Sequence, residues 1–492
     1  MIRISLLLMA APLAMWPASA STPSTRAEAV TDPELTFEAR IDGYLKQLGA
    51  KQFKAALGTV EGLERSAGNP DGGRMIGAIL RSAVAAAQKH DDDARRLLEQ
   101  AEPLLTKSPE VMTLAIPAYS VANRPDLVGL TLDRLIARAP DIVRGFTPDF
   151  ISFVLRNTGE PQATLDQRKV ALAQMGFGGA DGDWITAGAI GILVQRGDWT
   201  GAGDLLRYVD SPRDVEDLLI QRRFAPLWPR LEAQAGPGLA NSRESSVREA
   251  RQLLESAPKD DRSLPRMIEA LRYAGRYDEA IALLTRLPQT PGDMAKADEQ
   301  VGWAVNDLAL VLHDAGRKEE ADSWFSRLNS GSKPDWKISM LINRVELLVG
   351  DGKYAQALPL IEEAQTVRGS PYAEQLLRRL RYCSLVRLGR PADAAKLRGD
   401  LMAHAKDARA ATVDGLICAG EADAAEQMVL ANLGDDDFQE DVIRGLQQVP
   451  LTADDPSVWD GWQVLRQRPA VAAAFARLGR DLPAGLRLPA KR

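Results

Sequence analysis

Val305, Leu308, Ala309 and Leu312, with Trp303 just ahead of them, recur at helical steps and stop at Gly316. Leu341, Val345 and Leu348 do the same before Gly352. Each run is one apolar stripe on a helix. Past each glycine the pattern restarts. Gly275 is followed by Tyr277, Ala280, Leu284 and Leu287, and Gly316 by Ala321, Phe325 and Leu328. Gly352 leads to Tyr354, Ala357 and Ile361, Gly389 to Ala394 and Leu401, Gly420 to Ala425, and Gly197 to Trp199 and Ala202. A weaker form starts at Gly159 (to Thr164), Asn123 (to Val128), Lys89 (to Ala94) and Lys51 (to Phe53 and Ala56). The starts are 38, 34, 36 and 38 residues apart in the first half and 41, 36, 37 and 31 in the second, with 78 between Gly197 and Gly275. The frame predicts paired helices. A glycine permits the tight turn between them, an aromatic packs back on the first helix, and a small residue sits where the two approach. Pro70, Pro109, Pro140, Pro291, Pro334 and Pro371 close units or open helices. No stretch alternates as a strand does, so the expectation is an all-α chain of roughly two dozen short helices.

A period of 31–41 residues, each unit holding two helices, is the mark of a helical-hairpin array. The unit ending near Pro334 resembles the tetratricopeptide repeat. Val305 and Leu308 take the early apolar positions of its first helix, Ala309 the small one and Leu312 the next large one, while Ala321 and Phe325 match its second helix. Ile268 and Val345 stand where that family prefers a small residue. The resemblance covers most of residues 34–432. It implies a right-handed superhelical solenoid of antiparallel helix pairs, with the first helix of each pair on the inner wall.

Two stretches break the frame: DVEDLLIQRRFAPLWPRLEAQAG (214–236) and DGWQVLRQRPAVAAAFARLG (460–479). They resemble each other, and the second is placed to close the array. The first is then read as closing an N-terminal subarray, with GPGLANS (236–242) as the joint. This gives arrays over 34–236 and 244–480 and a disordered tail over 481–492, against the alternative of one continuous superhelix.

The N-terminus, MIRISLLLMAAPLAMWPASA, has one charge at Arg3, an apolar core from Ile4 to Trp16 and a small-x-small end at Ala18-Ser19-Ala20. That is the anatomy of a secretory signal peptide cleaved after Ala20, with an uncleaved anchor as the competing reading. Residues 21–33 are a polar lead-in. Removal of the signal leaves no segment expected to span a membrane, and the chain is expected to be periplasmic or secreted. Cys383 and Cys418 lie six and two residues before their glycines. That offset sets them at different heights on neighbouring helices, so two buried small hydrophobes are expected in preference to a bridge.

Composition removes further classes. Charged residues make up 26% and aromatics 5%, with a net charge of -6 and no basic run, so no nucleic-acid partner is expected. His90, His313 and His404 fall in different units, so no metal set is expected. There is no HExxH, GxSxG or phosphate loop. GFGGADGD (176–183) lacks a third spaced glycine and reads as a loop, and DDD at 91–93 and 435–437 reads as favourable charge at helix starts. Neither cofactor nor catalysis is expected.

Function is then expected from a surface. The inward first-helix positions are Arg262, Glu269, Arg272, Trp303, Asn306, His313, Glu346, Arg379 and Arg387. Members of the resembled family that clamp a C-terminal carboxylate place Asn where this chain has Glu269, Leu310, Glu346 and Cys383, so that mode is not implied. Two readings remain. One is a non-catalytic periplasmic scaffold holding a protein or peptide of the cell envelope. The other is a binder of polysaccharide or peptidoglycan in an export or cell-wall system, with Trp303 and Trp336 as platforms.

Overall fold

The structure is a computed structural model. It describes residues 37–487 apart from 68–69, 102–108, 147, 178–182, 259–262, 289–298, 330–335, 366–368, 437 and 450–455. The expected signal peptide and lead-in therefore lie outside the described residues, as do most of the 176–183 loop, Pro291 and Pro334. Among the described residues every named element is helical, as the periodicity predicts, and one isolated bridge pairs Gln221 with Gly479.

Contacts divide the chain into two compact units, Met1–Tyr208 and Val209–Arg492. The first holds α1 (Phe37–Gly49), α2 (Phe53–Ser66), α3 (Pro70–Ala87), α4 (Asp91–Ala101), α5 (Ala115–Val121), α6 (Pro125–Arg138), α7 (Pro140–Arg144), α8 (Pro148–Asn157), α9 (Gln162–Gln174), α10 (Asp183–Gln195) and α11 (Trp199–Leu205). Consecutive helices pack as pairs, α3 on α4, α9 on α10 and α10 on α11, around one core running from Ile41 to Ile185. Arg168 crosses that core with its side chain fully covered. Its guanidinium is held by Asp133 at 2.6 and 2.8 Å and by Glu160 at 2.7 and 3.1 Å. A buried cation needs this full set of acceptors.

The second unit holds α12 (Pro212–Ile220), α13 (Trp228–Ala235), α14 (Ala240–Ser256), α15 (Ser263–Tyr273), α16 (Tyr277–Ala282), α17 (Glu299–Asp314), α18 (Lys318–Asn329), α19 (Trp336–Gly350) and α20 (Tyr354–Ala364). It continues with α21 (Pro371–Arg387), α22 (Pro391–Ala403), α23 (Arg409–Cys418), α24 (Ala422–Leu433), α25 (Gln439–Gly445), α26 (Pro456–Arg466) and α27 (Pro469–Leu478). The pairs are α17 with α18, α19 with α20, α21 with α22 and α23 with α24. The first helices also touch in series: α15, α17, α19, α21, α23.

The ten turn positions of the sequence frame share one backbone feature. Lys51, Lys89, Asn123, Gly159, Gly197, Gly275, Gly316, Gly352, Gly389 and Gly420 all have φ between 57° and 79°. At nine of them the following N–H reaches back to the carbonyl five residues earlier, as Arg276 does to Leu271 at 2.9 Å. This left-handed cap satisfies carbonyls at the helix end and reverses the chain. The small residue five positions on is covered each time it is alanine: Ala56, Ala94, Ala202, Ala280, Ala321, Ala357, Ala394 and Ala425 are all buried. The paired helices approach closely at this position, and Val128, which takes it after Asn123, is buried too.

Three expectations differ from the structure. The boundary falls at Tyr208/Val209 rather than near 240. The reason is that α12 and α13 pack on the end of the second unit: α12 touches α25, and Arg222 Nε donates to the Gly479 carbonyl at 2.9 Å. The two frame-breaking stretches thus meet each other. Residues 481–487, expected within a disordered tail, are packed, with Leu482 and Leu486 buried. Cys383 and Cys418 form a disulfide with Cα atoms 5.5 Å apart. Their four-residue offset amounts to roughly 6 Å along a helix, and the stagger of α21 against α23 absorbs it. Closing this loop contributes on the order of 3–4 kcal/mol by restricting the unfolded chain.

Candidate functional site

The first helices of the second unit stand side by side because their apolar stripes bury Ile268, Val305, Ala309 and Val345 between layers. The polar remainder of each helix is then shared with its neighbours. Arg272 of α15 donates to Asp314 of α17 at 2.8 Å. Asn306 of α17 is buried; it accepts from Asn343 of α19 at 2.8 Å and donates to Asp307 at 3.0 Å. His313 lies 3.2 Å from Asp351, which also takes Lys318, and Glu346 of α19 pairs with Arg379 of α21. Five of the nine residues expected on the inner wall, Arg272, Asn306, His313, Glu346 and Arg379, thus fasten one pair to the next.

The other four differ. Glu269 is partly exposed beside Arg266 on its own helix. Trp303 is partly buried against the core, and its Nε1 lies 3.4 Å from Glu299. Arg387 is exposed at the end of α21. Arg262 lies outside the described residues, as does the side chain of Trp336.

Around this row the structure gathers ionisable groups that the sequence did not single out. Asp307 sits in the field of Glu269 and Arg272, and burial pushes its carboxyl up to about 7 against the hydrogen bond from Asn306. Tyr273 is within electrostatic reach of Arg213 on α12 and Arg444 on α25. Tyr372, 58% exposed at the start of α21, is within reach of Arg213 and of Asp441 on α25. Burial, then the charge of Asp217, pushes Asp214 up to about 6. Glu440 is pushed up to about 7 by burial and by Asp217, with which it shares a hydrogen bond. Arg444 pairs with both Glu216 and Asp217, and Gln221 Nε2 donates to Glu440 at 3.3 Å. Tyr273 and Asp307 were legible as neighbours of expected residues. The α12 and α25 groups were not, because their meeting depends on the two ends of the unit coming together.

Among the described residues no group of His, Cys, Asp and Glu is arranged to hold a metal, and no helix is long and apolar enough to cross a membrane. No model of a known protein family matches the chain, and no curated protein is significantly similar to it.

Proposed function

We propose that the chain is an exported, non-catalytic scaffold, a superhelical array of the tetratricopeptide kind that holds a protein or peptide of the cell envelope on its first-helix face. The observation that carries this reading is the row α15, α17, α19 and α21. Their polar residues are cross-linked from helix to helix, which keeps the face rigid, and Glu269, Arg387 and Tyr372 remain open on these helices. A rigid, pre-organised face loses little entropy on binding. The Cys383–Cys418 disulfide supports the compartment, since such bonds persist in oxidising surroundings. The signal-like N-terminus supports it independently.

The test is a photocrosslinking side chain placed at Glu269 or Tyr372, compared with one at Glu319 or Glu363 on the second helices. The expected result is a discrete protein adduct in the envelope from the first pair of sites only. Equal labelling from both pairs, or none from either, overturns the proposal.

A further inference from the structure

Where the ends of the second unit meet, three arginines line one cavity of about 260 Å³ together with Phe475, Gly479 and Asp481. Arg222 comes from the 3-10 turn Arg222–Leu227, Arg466 from the end of α26, and Arg480 from just past α27. Two of the three are neutralised. Arg466 holds Asp481 at 2.8 and 2.6 Å and lies over the Phe475 ring at 4.3 Å. Arg480 holds Glu232 at 2.7 Å, donates to the Leu219 carbonyl at 2.6 Å and lies 3.4 Å from the centre of the Trp228 ring. Arg222 differs from them. Its Nε is used on the Gly479 carbonyl, its side chain is exposed, and no carboxylate among the described residues pairs with it.

The ledger of charge at the cavity is therefore three guanidiniums against Asp481 and Glu232, leaving one positive charge uncompensated. The Arg480 guanidinium registers the excess: burial and the charge of Arg222 both lower its affinity for its proton, against the pull of Glu232. A planar guanidinium with its two terminal nitrogens unused is suited to a carboxylate or phosphate oxygen pair. The remaining wall is apolar, formed by Phe475, Ala472 and Ala476.

We propose that this cavity binds a small organic anion, its carboxylate or phosphate held by Arg222 and its apolar body seated against Phe475, Ala472 and Ala476. The site is separate from the first-helix face, so it stands whether or not that face binds a partner. Because its walls come from both ends of the unit, an occupant ties α12–α13 to α26–α27.

The experiment is calorimetric titration of the full chain with benzoate, phenyl phosphate and acetate, at constant ionic strength in chloride. Benzoate or phenyl phosphate is expected to bind saturably at one site, and the tighter of the two names the anionic head. Acetate, lacking a body to bury, is expected to bind about tenfold more weakly. Arg222→Gln is expected to abolish binding and Arg222→Lys to weaken it, both remaining folded with melting lowered by no more than the loss of the one bond to Gly479, while Arg74→Gln in the first unit leaves binding unchanged. No saturable binding of either aromatic anion, acetate binding as tightly as benzoate, or full binding by Arg222→Gln overturns the proposal.

Discussion

Gly275 shows how much a single residue of this chain decides. Its φ is 69°, and a Cβ built there would meet nothing within 4 Å. The glycine is required by backbone conformation and not by space. Gly275→Ala should therefore cost about 1–2 kcal/mol, the penalty of an L side chain in the left-handed region. Gly275→Asn should cost less, since asparagine tolerates that region. Chemical denaturation of the two variants checks this, and equal stability of Gly275→Ala and the parent would show that the turn is not the constraint. The ten turns were legible in the sequence because the same physical need recurs at a fixed period, even where Lys51, Lys89 and Asn123 replace glycine. The disulfide was not, because a rule based on equal heights along helices ignores the stagger with which α21 and α23 pack.

At the scale of elements, the contact between α12 and α25 concentrates carboxylates beside too few cations. Glu440 and Asp214 are pushed up to about 7 and about 6, and Asp441 is raised as well, burial being the first cause in each case. The groups facing them are Arg213, Glu216 and Asp217 of α12, Gln221 and Arg223 just past it, Arg444 of α25, Arg266 and Tyr273 of α15, and Tyr372 of α21. A carboxyl whose affinity for its proton is higher in the folded state stabilises that state in acid. For Glu440 the stabilisation is full below its ordinary value near 4.5 and is lost as pH rises through about 7. The second unit should therefore melt at progressively lower temperature between pH 4.5 and 7 from this cause. Glu440→Gln, which keeps the shape and a hydrogen-bond donor, should flatten that slope and melt above the parent at pH 8. A parent slope that survives Glu440→Gln unchanged would assign the effect to other groups. None of this was legible from periodicity, which describes each helix against its sequence neighbours and not α12 against a helix more than two hundred positions away.

The whole chain is two units, and its division follows from which surfaces cover which. Read as repeats, the 214–236 stretch ends what precedes it, and the cut belongs near 240. In three dimensions that stretch is covered by the chain's last elements: Arg480 bonds to the Leu219 carbonyl and Glu232, Arg444 pairs with Glu216 and Asp217, and Gln221 bridges to Gly479. Removing it would take these carboxylates from Arg444 and Arg480 and turn both guanidiniums toward water. Val442, Ile443 and Phe475, now buried, would also lose cover. A fragment spanning 209–492 should fold with one cooperative melt, whereas one beginning at 240 should melt far lower or fail to fold, because its last helices have nothing to close upon. Circular dichroism melts of the two fragments, with the disulfide intact in both, decide between the boundaries: if the shorter fragment is as stable as the longer, 212–235 is not part of the second unit's core.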